Sequence, residues 1–159
     1  MKTEEAVGKF LVRQGLTLVT AESCTGGLVS HRITNVPGSS AYYLGGFVAY
    51  ANEVKEAVLG VRRETLMAHG AVSEETACEM AEGARRQTGA DIGISVTGIC
   101  GPTGGTPAKP VGLTYIALAA ADTVRCEQYV WQGDRLVNKE QSAEAALQLI
   151  QAYLKERGG

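Results

Sequence analysis

"VTAESCTGGLVS", residues 19–30, changes character at its midpoint. Val19 belongs to "LTLVTA" (16–21), a run rich in apolar and β-branched residues that reads as a strand. From residue 24 to 35 the pattern is helical, with Leu28 and Ile33 inward, and "NVPGSS" ends it. Between strand and helix stand Glu22, Ser23, Cys24 and Thr25, then Gly26 and Gly27. A strand that passes through a polar, glycine-bearing turn into a helix is the unit from which α/β domains are built.

The same alternation extends in both directions. Upstream, Val7, Phe10, Leu11 and Gln14 give residues 3–14 a helical period, closed by Gly15 as C-cap. Downstream, "GFVAYA" (46–51) is a second strand, and Asn52 is the expected N-cap of a helix carrying Val54, Val58 and Leu59. A short helix follows at 63–69. Ser73 then caps a longer one, 74–88, with Glu74 and Glu75 at its positive end, Ala77, Met80, Ala81 and Ala84 inward, and Gly89 as its stop.

"DIGISVTG" (91–98) has no charge after Asp91 and is expected at the centre of the sheet. "VGLTYIALA" and "TVRCEQYVW" pair as a hairpin around Ala121 and Asp122. A last helix, 137–155, buries Ala143, Leu147, Ile150 and Leu154. Five strands interleaved with helices predict one α/β domain over residues 1–159, its mixed sheet covered on both faces.

Composition narrows the function classes. The chain has 159 residues, 45% hydrophobic and 20% charged, with a net charge of −2. That balance supplies no basic field for nucleic acid, so direct nucleic-acid binding is not expected. No apolar run approaches the roughly 20 residues of a membrane span, and "MKTEEAVGKF" is no signal peptide, so a cytoplasmic protein without membrane contact is expected. Cys24, Cys78, Cys100 and Cys126 are widely spaced, and His31 and His69 are the two histidines. This predicts free thiols, mostly buried as small hydrophobes, and neither a zinc site nor a disulfide framework.

Four polar segments fall where strands of an open α/β sheet end and ligands collect. In "AESCTGG" the N–H groups of Thr25, Gly26 and Gly27 lie at a helix start able to hold a phosphate or an oxyanion, next to Ser23 and Cys24 as candidate nucleophiles. Simple capping by Ser23 or Thr25 is the competing reading. In "YANEVK" (50–55), Lys55 is the candidate base: a helix start and burial both favour a neutral lysine. Tyr50 would relay a proton or orient the serine. A solvated surface lysine is the alternative.

"SVTGICGPTGGTPAKPVG" (95–112) ends a strand in a long Gly/Pro loop. No GK[ST] closes it and its glycine spacing fails the dinucleotide fingerprint, so neither phosphate motif applies. Backbone N–H groups in a nest, with Thr97 and Lys109, make it a ligand loop or lid. In "GDRLVNK" (133–139), Asp134 is a candidate cap and Arg135 a candidate anion clamp.

Taken in order, "TAESCTGG", "GGFVAYANEVKEAVLGV", "HGAVSEETACEMAEGAR", "SVTGICGPTGGTPAKPVGLTYIA" and "GDR" resemble the C-terminal domain of the CinA family. The resemblance covers nearly the whole chain. It implies a three-layer α/β/α sandwich, a homodimer, and hydrolysis of the carboxamide of nicotinamide mononucleotide to nicotinate mononucleotide and ammonia, with no metal and no cofactor. The absence of the extra N-terminal domain of full-length CinA proteins makes the chain similar to the family's stand-alone deamidases.

Carried over residue by residue, the resemblance implies Ser23 as nucleophile, Lys55 as base and Tyr50 as helper. A small-molecule nucleotide would be held by Cys24, Thr25, Gly26 and Gly27, by Thr97, Gly98, Gly101, Pro102, Gly104 and Gly105, and by Arg135 and Lys139. Two positions depart from the family pattern. Cys100 stands where alanine is common, and Lys139 where arginine is frequent, which keeps the charge but loses the bidentate fork. Two other classes fit the same resemblance: a nucleotide-binding module without hydrolysis, and an interaction domain tied to DNA uptake or repair.

Overall fold

Central strands of a covered sheet are buried on both faces, and two such strands stand side by side here. In the computed structural model, which describes residues 1–158, these are β1 (Leu18–Glu22) and β3 (Ile92–Gly98), buried along almost their whole lengths. Around them lie β2 (Tyr43–Val48), β4 (Leu113–Ala119) and β5 (Val124–Val130), in the order β2-β1-β3-β4-β5. β1 pairs in parallel with β2 and β3, while β4 and β5 are antiparallel, so the sheet is mixed.

Helices cover both faces. α1 (Thr3–Gln14), α2 (Leu28–Thr34) and α6 (Arg135–Gly158) share one apolar cluster that includes Val7, Leu11, Val29, Ile33, Leu147 and Ile150. Arg32 joins the three by reaching Glu4 and Glu144, each at 2.7 Å, and holds the Glu4 carboxyl below its usual range. α3 (Asn52–Leu59), α4 (Arg63–His69) and α5 (Glu74–Thr88) form the other layer, where Leu59, Val61, Met80 and Ala84 pack under β1. The result is the expected α/β/α sandwich on five strands. No helix among the described residues is long and apolar enough to cross a membrane.

Several local readings agree closely with the structure. α1 ends at Gly15 in the left-handed region, and Ser73 Oγ accepts from Thr76 N at 3.2 Å to start α5. Asp134 Oδ1 accepts from Val137 N at 2.9 Å and so caps α6. Others shift. α2 begins at Leu28 rather than 24, because Gly26 and Gly27 take φ of 61° and 104°, outside the helical region. The second strand spans 43–48 rather than 46–51. A Cβ on Gly46 would lie 2.1 Å from Thr20 Oγ1, so glycine is what lets β2 lie beside β1 there. Ala51, not Asn52, is the N-cap of α3, and no side chain caps it.

Two features of this fold place the site. The parallel trio β1, β2 and β3 ends together, since Glu22 stands opposite both Val48 and Val96. The antiparallel pair brings the start of β4 and the end of β5 to that same edge. All four polar segments of the sequence therefore meet at one end of the sheet. The second feature is the depth of α3. A Cβ on Gly83 of α5 would lie 1.8 Å from the carbonyl oxygen of Leu59, so α5 meets the end of α3 backbone to backbone. That close approach seats α3 low against the sheet edge, with Lys55 and Leu59 buried and Val54 outward.

Candidate active site

The turn after β1 owes its shape to Glu22. Its carboxylate, buried at the strand end, accepts from the backbone N–H of Gly27 (3.2 Å), Val29 (2.9 Å) and Ser30 (3.0 Å), and from Ser30 Oγ (2.7 Å). A carboxylate at a helix N-terminus satisfies the free N–H groups and the positive dipole end together. The consequence for chemistry is direct. Gly27 is not free to receive an oxyanion, and Gly26 N donates to Ser23 O at 3.1 Å. The backbone N–H groups of Cys24 and Thr25 make no hydrogen bond among the described residues and are the donors left at this turn. Glu22→Ala would orphan three N–H groups and is expected to destabilise the fold by about 3 kcal/mol, measurable as a lower urea midpoint with an unchanged slope.

Ser23, 7% exposed, leaves this turn at the carboxyl edge of β1, its own N–H held by Val96 O at 3.0 Å. Across from it, Lys55 rises from the first turns of α3. Lys55 Nζ lies 3.1 Å from Ser23 Oγ and donates to the carbonyl oxygen of Tyr50 at 3.0 Å. The lysine is only 1% exposed, and no carboxylate lies within ion-pair distance of it among the described residues. Burial accordingly pushes its ammonium below the ordinary lysine value of 10.5. A buried lysine without a counter-ion, in contact with a hydroxyl, is equipped to take that hydroxyl's proton.

A cavity of about 320 Å³ opens in front of this pair. It is lined by Ser23, Cys24, Tyr50 and Lys55 from the first two segments, by Thr97, Gly98, Gly101 and Gly104 from the loop after β3, and by Arg135. Thr97 Oγ1 is committed to Ala71 O at 2.8 Å, so its hydroxyl braces the loop before α5. Gly101 has a φ of 85°, and a Cβ there would meet Val111 at 2.5 Å. Asn138 Nδ2 donates to Cys100 O at 3.0 Å and ties the loop to α6.

The other expected residues stand around the cavity rather than in it. Thr25, Gly26 and Gly27 lie in the turn behind Cys24, and Lys139 Nζ would lie 3.6 Å from a Cβ on Gly26. Pro102 is exposed, and Gly105 backs onto Val111. Lys109 Nζ bonds His69 O, which turns it away from the cavity. Tyr50 has a different geometry from the one expected. It is 61% exposed, its hydroxyl accepts from Arg135 Nη2 at 3.1 Å, and no hydrogen bond links that hydroxyl to Ser23. What Tyr50 gives the pair is its backbone carbonyl. Arg135 Nη1 meanwhile donates to Gly101 O at 2.7 Å, so this guanidinium bridges two walls of the cavity.

Ala71, Val72, Ile99, Cys100 and Thr103 also line the cavity. Ala71, Val72 and Ile99 carry no side-chain chemistry that marks them in the sequence. The one available signal was position, since Ala71 and Val72 directly precede the Ser73 cap. Among the described residues no group of three or more His, Cys, Asp or Glu is placed to hold a metal ion.

Fold and site together define a three-layer α/β domain with a buried serine–lysine pair at the carboxyl edge of a mixed sheet. The model of the CinA C-terminal domain matches residues 1–154, and the chain belongs to that family. It is 54% identical over 158 residues to a "CinA-like protein" of Chloroherpeton thalassium and 50% identical over 154 residues to a "Putative competence-damage inducible protein" of Desulforudis audaxviator. Those matches cover 97% of this chain but 38% and 37% of the relatives, so the chain spans under two-fifths of their length.

Among solved structures, the competence/damage inducible protein CihA from Agrobacterium tumefaciens superposes with a TM-score of 0.91 at 39% identity. That match covers 96% of this chain and 95% of the other. A CinA superfamily protein from Klebsiella pneumoniae reaches 0.92 at 33% identity, covering 98% and 99%.

Proposed function

We propose that this domain is an amidohydrolase that converts nicotinamide mononucleotide to nicotinate mononucleotide and ammonia. The observation that carries the reading is the 3.1 Å contact between Ser23 Oγ and the Nζ of a fully buried lysine that has no counter-ion. Neutral Lys55 takes the hydroxyl proton as Ser23 Oγ attacks the carboxamide carbon. The developing oxyanion is received by the unengaged N–H groups of Cys24 and Thr25, which do not have to reorganise as charge appears. The carbon–nitrogen bond then breaks and the Lys55 ammonium passes its proton to the departing ammonia. Water enters the vacated position, Lys55 takes its proton, and hydrolysis of the ester returns Ser23 and releases the carboxylate.

The cavity volume of about 320 Å³ is at the small end of ligand sites, which run from about 300 to 1,000 Å³. Arg135 at its wall and Lys139 beside the glycine turn supply the cations for a phosphate. The test is ammonia release from the purified protein supplied with nicotinamide mononucleotide and no added metal. Steady release is the expected result. Binding of the nucleotide without release would instead make the domain a nucleotide-binding module.

A further inference from the structure

All four cysteines are free, and two of them meet at the site. Cys24 follows the candidate nucleophile, and Cys100 opens the Gly/Pro loop 76 positions later. Both side chains are buried, both line the same cavity, and Cys100 Sγ lies 3.7 Å from the carbonyl oxygen of Cys24. The two thiols interact, and each is the strongest influence on the ionisation of the other. Proximity to the Cys24 thiol brings Cys100 down to about 7, helped by the Arg135 and Lys139 cations, while Cys24 is held well above the usual thiol range. A thiolate beside a thiol, in a cavity that small molecules enter, is the arrangement of a redox-responsive pair.

We infer that Cys24 and Cys100 are a reversible disulfide site, with hydrogen peroxide or an alkyl hydroperoxide as oxidant, and that the bond switches off the Ser23 site. The switching half rests on the amidohydrolase reading above. In the first step Cys100 Sγ attacks a peroxide oxygen. The sulfur–oxygen bond forms, the oxygen–oxygen bond breaks, and the leaving oxygen takes a proton to depart as water or alcohol. Cys100 is thereby oxidised to the sulfenic acid by the electron pair that reduces the peroxide. Cys24 Sγ then attacks that sulfur, and the sulfenic oxygen leaves as water with the Cys24 proton. No further oxidant is needed.

The bond has a mechanical consequence. A disulfide draws its sulfurs to about 2.05 Å, which pulls the start of the loop and the turn after β1 toward each other. Ser23 is covalently next to Cys24, so its Oγ moves relative to Lys55 Nζ, and a displacement of about 1 Å at reacting groups costs about 100-fold in rate. Cys78 on α5 and Cys126 on β5 pack against one alanine cluster, outside this cavity. They serve as an internal comparison.

The experiment treats the whole chain with rising amounts of hydrogen peroxide, alkylates the remaining thiols, digests the protein and maps the cysteines by mass spectrometry. A Cys24–Cys100 crosslinked peptide that disappears with dithiothreitol is the expected result, and it must be missing from a Cys100→Ala variant. Recovery of alkylated Cys24 beside a Cys100 oxidised to sulfinic acid would overturn the disulfide. In parallel, ammonia release by the oxidised protein should fall about 100-fold and return with dithiothreitol, while Cys100→Ala keeps its own rate through the same treatment. A mapped bond with an undiminished rate would overturn the switching half. Should the reduced protein release no ammonia, the amidohydrolase reading has failed, and the peptide map alone still decides the disulfide. Switching is then read from nicotinamide mononucleotide binding, which must weaken on oxidation and recover on reduction; unchanged binding would overturn it.

Discussion

Ser23→Ala is expected to lower ammonia release from nicotinamide mononucleotide by about 10⁴-fold or more, the scale on which removal of a nucleophile acts. The reason is positional. Ser23 Oγ is in contact with Lys55 Nζ. Cys24, although intrinsically the better nucleophile, is turned toward Cys100, and that interaction together with burial keeps its thiol protonated. The dipole of α2, which would lower a nearby thiol, is already occupied by the Glu22 carboxylate. Cys24→Ala should therefore retain at least about 100-fold more activity than Ser23→Ala. Both rates are read from ammonia release at saturating nucleotide, with folding verified by circular dichroism. If Cys24→Ala proved the more damaged of the two, the serine assignment would fall.

Lys55→Met is expected to separate activity from stability. Loss of the base should cost about 10³-fold in turnover, because no other amine or imidazole contacts Ser23 Oγ among the described residues. Stability should move the other way. Burial depresses the folded pKa of Lys55 below the unfolded value of 10.5. Below the depressed value both states carry the ammonium, and the fold bears the whole cost of burying it. Between the two values the unfolded chain binds more protons, so stability rises with pH, and above 10.5 the cost is gone.

Methionine removes that cost at similar volume, for a gain of about 1 kcal/mol at pH 6, or about 3 °C in melting temperature for a chain of this size. The gain should shrink as pH approaches 10. Thermal melts of both proteins at pH 6 and pH 10 test this, and a variant that melts below its parent at pH 6 would show that burial does not penalise the Lys55 ammonium. The same lysine predicts a parent pH–rate profile that rises through the depressed pKa, since only the neutral amine accepts the serine proton.

What the sequence determined by itself is the order and kind of the elements. The charge-free run 92–98 had to be a central strand, because a run without polar alternation can be buried on both faces. Ser73 ahead of Glu74 and Glu75 had to start a helix, and the polar turns had to lie at strand ends, because these are consequences of neighbouring residues alone.

Tertiary structure decided the rest. The reading of Lys55 as base left a solvated surface lysine as its alternative, and the close approach of α3 to Gly83 goes with Lys55 buried beside Leu59. Glu22 took the helix start that had been read as free for a ligand, and Tyr50 gave the site its carbonyl while its hydroxyl went to Arg135. The Cys24–Cys100 contact joins residues 76 positions apart. Each of these outcomes depends on the register of three parallel strands ending at one edge, and register follows from long-range packing that no local run of residues contains.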